Sequence, residues 1–147
     1  MNSFKIYSTV SRFRFFRKKE EIRLVGEITF LDNRILVNDE VFSIDALEKL
    51  AFTNFDDYQG KVLTDEKLSE GLDNTIELYL KDSKRLIYNI QQQYRYQLRE
   101  LRPQLVNYHN DGKLDFLNLI AILGIDGYNA IRIFKNSLPE GGDVKSY

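Results

Sequence analysis

Few side chains in this chain can do chemistry, and their spacing favours structure over catalysis. His109 is the only histidine. A general base needs a positioned substrate proton and an orienting partner. His109 instead stands beside Asn110 and Asp111 at the end of a helical pattern, where a cation suits the C-terminal dipole. One histidine also cannot build a histidine-rich metal site. Asp56, Asp57, Asp65, Glu66, Glu70 and Asp73 gather in one stretch. Their spacing does not match a calcium loop with its alternating oxygen ligands and turn glycine, so they read as a solvated acidic loop. There is no cysteine, which excludes disulfides, thiolate metal sites and a cysteine nucleophile. Phosphate-loop, dinucleotide and serine-elbow motifs are missing too. The expectation is a non-enzymatic protein with no catalytic residue, metal ligand or cofactor site. A carboxylate pair converging only in three dimensions would be the exception.

Two other sets of residues could make contacts. Arg12, Arg14, Arg17, Lys18 and Lys19 are interleaved with Phe13, Phe15 and Phe16. Together they could meet an anionic surface, with lipid preferred over nucleic acid: cations attract phosphates, and phenylalanines enter a lipid interface or stack on bases. The competing reading is a strand, because Phe13 and Phe15 share one parity opposite Arg12 and Arg14. The net charge of −1 hides an asymmetry: residues 1–19 hold six cations and no acid, so the remainder carries −7. The second set is tyrosine. Tyr94 and Tyr108 fall on an apolar helical stripe, whereas Tyr79 and Tyr96 fall on polar sides and are candidates for a protein-partner surface.

The elements that must position these residues are short strands and then helices. Apolar alternation marks strands at Ile22–Phe30, Arg34–Val37, Thr75–Lys81 and Arg85–Ile90, with weaker ones at Phe4–Val10 and around Leu50 and Phe52. Ile22, Leu24, Ile28 and Phe30 share a parity, and Gly26 among them predicts a bulge or bend. Asp32-Asn33, Asn38-Asp39 and Asp82-Ser83 are turn candidates. Residues 54–74 read as a strand end and a long mobile loop. From Gln91 the period changes, and Tyr94, Leu98, Leu101, Leu105 and Tyr108 form one helical stripe that Pro103 should kink or divide. Asp115 and Gly124 bracket an apolar helix, and Asp126 could cap another carrying Tyr128, Ile131, Phe134 and Leu138.

At 147 residues, one domain is expected. Its class is α+β: a bent antiparallel sheet or partial barrel, an amphipathic helix across one opening, and a short helical tail. Residues 1–21 form a basic, aromatic lead that doubles as a candidate first strand. Residues 22–110 form the sheet and helix, 111–138 a helical cap, and 139–147 a disordered tail. No apolar run approaches the ~20 residues that span a bilayer. With no cysteine, the chain suits the cytoplasm.

Hairpin strands followed by a helix resemble the pleckstrin-homology-like superfold over roughly residues 22–109. The stretch from Gly26-Glu27-Ile28-Thr29-Phe30 to Asp57-Tyr58-Gln59-Gly60 resembles small bacterial domains of that type. A complete domain of the superfold has one strand more than the pattern here offers. The resemblance implies recognition of a lipid headgroup, a peptide or a protein surface, and the fold alone does not choose. The preferred expectation is a binding or scaffold module for a protein or peptide. One alternative is a salt-sensitive binder of anionic surfaces through the basic lead; another is a small ligand-binding or hydrolytic barrel.

Overall fold

The computed structural model describes residues 2–14 and 17–139, with the side chains of 9–21 and 65 left aside. Beyond residue 139, the expected disordered tail lies outside the described residues. Four strands come first: β1 (Ser3–Arg14), β2 (Arg17–Phe30), β3 (Arg34–Val37) and β4 (Glu40–Ser43). A 3-10 turn at Ile44–Ala46 leads into β5 (Leu47–Asn54). A lobe of two short strands follows, β6 (Gln59–Val62) and β7 (Leu68–Glu70). The hairpin β8 (Thr75–Leu80) and β9 (Arg85–Ile90) completes the main sheet. The main sheet is antiparallel throughout, in the order β4-β3-β2-β1-β9-β8-β5. The expected bent, unclosed sheet is therefore present.

The bend follows from connectivity and packing. The two edge strands, β4 and β5, are consecutive in the chain and joined only by Ile44–Ala46. Phe30 on β2 and Phe52 on β5 are four ladder steps apart, about 19 Å in a flat sheet. Their ring centroids are 5.9 Å apart. The sheet has curled until its interior residues meet, and Phe4, Ile6, Ile28, Ile76, Leu78 and Ile90 fill the space between.

The helical part covers one opening. Its start differs from the expected position near Gln91: a 3-10 turn at Gln97–Leu101 comes first, then α1 (Arg102–Asn110). Pro103 lies in the first turn of α1, where its missing N–H costs nothing. The stripe therefore runs through Leu98, Leu101, Leu105 and Tyr108, all buried, while Tyr94 precedes it and is exposed. The Tyr108 hydroxyl donates to the Leu31 carbonyl at 2.5 Å, tying α1 to the β2–β3 turn.

Two further helices, α2 (Phe116–Leu123) and α3 (Tyr128–Ser137), are bent 113° from one another. Gly124 ends α2 in the left-handed conformation, as its position predicts. Asp126 accepts from the Gly127 N–H, and Gly127 is the N-cap of α3. Of the residues expected on one side of α3, Phe134 is buried, whereas Tyr128 is exposed. This segment also covers the edge of β5. Leu50 donates its N–H to Lys113, and the Asn118 amide bonds both the N–H and the carbonyl of Phe52 at 2.8 Å, as a neighbouring strand would. No single described helix is long and apolar enough to cross a membrane.

Candidate functional site

The site begins at Gly26. Opposite it, the β1–β2 register slips: Ile6 pairs with Gly26 but Tyr7 pairs with Leu24, leaving Val25 as an extra residue. Gly26 has φ 145, and a Cβ there would lie 1.7 Å from Asn38 Oδ1. Asn38, itself at φ 55, fills the bulge. Its Oδ1 accepts from the Glu27 N–H and its Nδ2 donates to the Val25 carbonyl. An inserted residue reverses strand parity. Ile28 and Phe30 accordingly face the core, while Ile22 and Leu24, expected on the same face, are 49% and 57% exposed.

Beyond the bulge the hairpin leaves the sheet. Only Ile6 and Tyr7 of β1 pair with β9, and only Ile28–Phe30 of β2 pair with β3. The register between β1 and β2 nonetheless continues unbroken to Arg14 and Arg17. The result is a two-stranded ribbon running about 24 Å past the body at the usual rise of ~3.4 Å per residue. The five basic candidates lie at its end by backbone position: Arg12 opposite Lys19, Phe13 opposite Lys18, Arg14 opposite Arg17. Their side chains, and Phe15 and Phe16, lie outside what is described.

Facing the ribbon's base is the lobe formed by 54–74. The expected mobile loop holds two strands and is anchored by a buried polar knot. Asn74 accepts from the Asp57 N–H and donates to the carbonyls of Asp57, Gly71 and Ile90. Gln92 donates to the carbonyls of Phe55 and Asp57 at 2.8 Å, and its Oε1 accepts from the Leu98 N–H at 3.0 Å. The Asp57 carboxylate is satisfied by Ser69 Oγ at 2.7 Å and the Asp73 N–H at 3.0 Å. Gly71, at φ 79, passes so near the Gln92 carbonyl that a Cβ would lie 2.2 Å from it. These bonds hold Gln92 to the lobe rather than in a helix, which is why the helical period begins later than its sequence pattern.

Between the ribbon and the lobe lies an open groove of about 880 Å³. Ile22 forms one wall, Leu63 and Leu68 the other, and Phe55, Leu72 and Asn89 also line it. Asp56, Glu70 and Asp73 supply exposed acids, with Lys61 the cation among the lining residues. Leu68 is 64% exposed. A polar-rimmed cluster of such exposed apolar side chains is characteristic of contact surfaces. Sequence reasoning missed it. Val62, Leu63 and Leu68 were the available signal, being apolar residues within an acidic stretch, and the parity reversal concealed Ile22.

The other candidates are dispersed. Tyr79 is half-buried on β8, with Lys49 Nζ 4.6 Å and the Arg85 guanidinium 5.7 Å from its ring centroid. Tyr96 is exposed, sits at φ 66, and carries the Arg99 guanidinium at 3.6 Å and that of Arg95 at 4.6 Å. Tyr79 adjoins the β8–β9 turn and Tyr96 follows the opposite end of β9, so they do not form one surface. The exposed Tyr94 bonds Glu100, which raises its phenol pKa. His109 donates Nδ1–H to the Leu114 carbonyl at 2.9 Å and packs on Phe116, a structural arrangement. Among the described residues, no three His, Asp or Glu side chains are grouped as a metal would require. No family model, curated protein or solved structure matches the chain.

Proposed function

We propose that this chain is a non-enzymatic recognition module of the cytoplasm, of pleckstrin-homology-like type, that takes an extended segment of a protein partner in the groove between ribbon and lobe. The observation carrying this reading is the groove itself, with Ile22, Leu63 and Leu68 on facing walls beside a strand pair that leaves the sheet. Its volume lies within the range of ligand sites, and its open shape suits a peptide laid along strand edges. The superfold assignment is supported by a four-strand meander, three further antiparallel strands and a helix over the opening. The packed interior of the bent sheet favours recognition over a ligand-binding barrel.

Selection of displayed short peptides against the full chain tests the reading. Enriched peptides are expected to weaken about tenfold, or ~1.4 kcal/mol, on Leu68→Asp or Ile22→Asp. No enrichment, or equal binding to both variants, would overturn it. A second reading, attraction to an anionic membrane with nucleic acid behind it, is favoured by the collection of five cations at one end of the ribbon. Deleting residues 1–19 would remove a central strand, so substitution is the cleaner test. Flotation with anionic liposomes, lost when the five cations become glutamine, would move that reading ahead.

A further inference from the structure

We propose that the occupant of the groove is the ribbon end of a second copy of this chain. The inference rests on the peptide-recognition reading and names the partner. Its first support is charge. Residues 1–19 carry six cations and no acid, against −7 for the remainder. Arg12, Arg14, Arg17, Lys18 and Lys19 lie at the ribbon's end by register. The groove presents exposed Asp56, Glu70 and Asp73. One chain thus holds both halves of a complementary pair, an arrangement that steers association and fixes register.

Reach is the second support. Ile22, on the groove wall, pairs with Thr9, and the ladder runs five residues further to Arg14 without a shift. At ~3.4 Å per residue, the ribbon's end lies roughly 17 Å from the wall of its own groove. An unbroken two-stranded ribbon cannot fold back to bring its cations among its own acids. A second molecule can supply them. Reciprocal exchange about a two-fold axis places each ribbon in the other's groove and closes the assembly as a dimer. The exposed Ile22, Leu63 and Leu68 are then covered by the partner molecule's ribbon.

Sedimentation velocity on the full chain tests this, with the Asp56→Lys/Asp73→Lys groove variant and the Arg12→Glu/Arg14→Glu ribbon variant. Circular dichroism first establishes that each is folded; if one is not, Leu68→Asp replaces it as the disrupting variant. The full chain is expected to dimerise at low salt, with Kd rising about tenfold or more as screening shortens from ~30 Å toward 3 Å. Each charge variant alone should be monomeric. Their mixture should form a heterodimer, because both exchanged contacts are then attractive. A monomeric full chain at every salt, a dimer indifferent to the groove charges, or no recovery on mixing would overturn the proposal. Peptides that bind a monomeric full chain and are lost on Leu68→Asp would leave the recognition reading standing and refute only the second-copy occupant.

Discussion

Replacing Gln92 with Met keeps the length and most of the volume of a fully buried side chain while removing its amide. Gln92 Nε2 bonds the carbonyls of Phe55 and Asp57 and Asn74 Oδ1, and its Oε1 accepts from Leu98. Gln92→Met leaves the buried Leu98 N–H without that acceptor and deprives both carbonyls of a donor. An unsatisfied buried polar group costs about 1–3 kcal/mol, and the carbonyls each retain a second lone pair. The Asp57 carbonyl keeps Asn74 as a donor. The expected loss is therefore about 2–4 kcal/mol, a large share of the 5–15 kcal/mol typical of a domain. Urea unfolding followed by circular dichroism should show the midpoint falling by about 1–2 M with m unchanged. Native-state hydrogen exchange should show the Leu98 amide losing protection most, since Gln92 Oε1 is its acceptor. The Asp57 amide should lose less, since its acceptor is Asn74 Oδ1, which Gln92 only buttresses. A midpoint shift below about 0.3 M would refute the reasoning, because the knot would then contribute little to holding the lobe.

Gly26→Ala forces a Cβ into Asn38 at φ 145 and displaces two hydrogen bonds. A loss of about 1–3 kcal/mol is expected, read as a fall in Tm, with a much smaller additional loss for Asn38→Ala in the same background. Asn118→Ala removes both bonds to the β5 edge, so about 1–2 kcal/mol should be lost. Thioflavin-positive aggregation on warming should also increase, because the edge is no longer covered. Burial, with Asp32 adding, pushes the Tyr108 phenol well above the ordinary tyrosine value of 10.0. A raised folded value means the contribution is fully present below pH 10 and is lost as pH climbs toward the folded pKa. Alkaline unfolding should therefore be less steep in Tyr108→Phe, at a cost of roughly 1 kcal/mol near neutrality.

Alternation alone located the ends of β3 and β9 and all of β8 with one residue to spare, because those strands have one face in the core and one in solvent. The turns at Asn38-Asp39 and Asp82-Ser83 were equally legible, since Asn38 and Ser83 adopt positive φ there. What alternation could not convey was the consequence of the bulge. Gly26 marked the place, but which way Ile22 and Leu24 turn depends on a partner residue, Asn38, far along the chain. The lobe failed to register for a related reason. Its order comes from Asn74 and Gln92, whose hydrogen bonds span up to 37 residues, and no local propensity records such bonds. The same bonds displaced the helical start and left Tyr94 outside the buried stripe.

The two-residue ladder between β1 and β9 also sets a timetable. Its pairs, Ile6 with Ile90 and Tyr7 with Asn89, join segments more than eighty residues apart. Residues 3–43 form their meander locally, as do β8 and β9, so both can form early at low loop-closure cost. The join between them must wait. At 5–20 residues per second, a ribosome leaves the β1 edge without its partner for roughly 4–16 seconds. A bare strand edge for that long is an invitation to aggregate. The stretch that waits is short, Ile6 and Tyr7 between Lys5 and Ser8, and the flanking charge and hydroxyl leave little apolar edge for a foreign strand during synthesis.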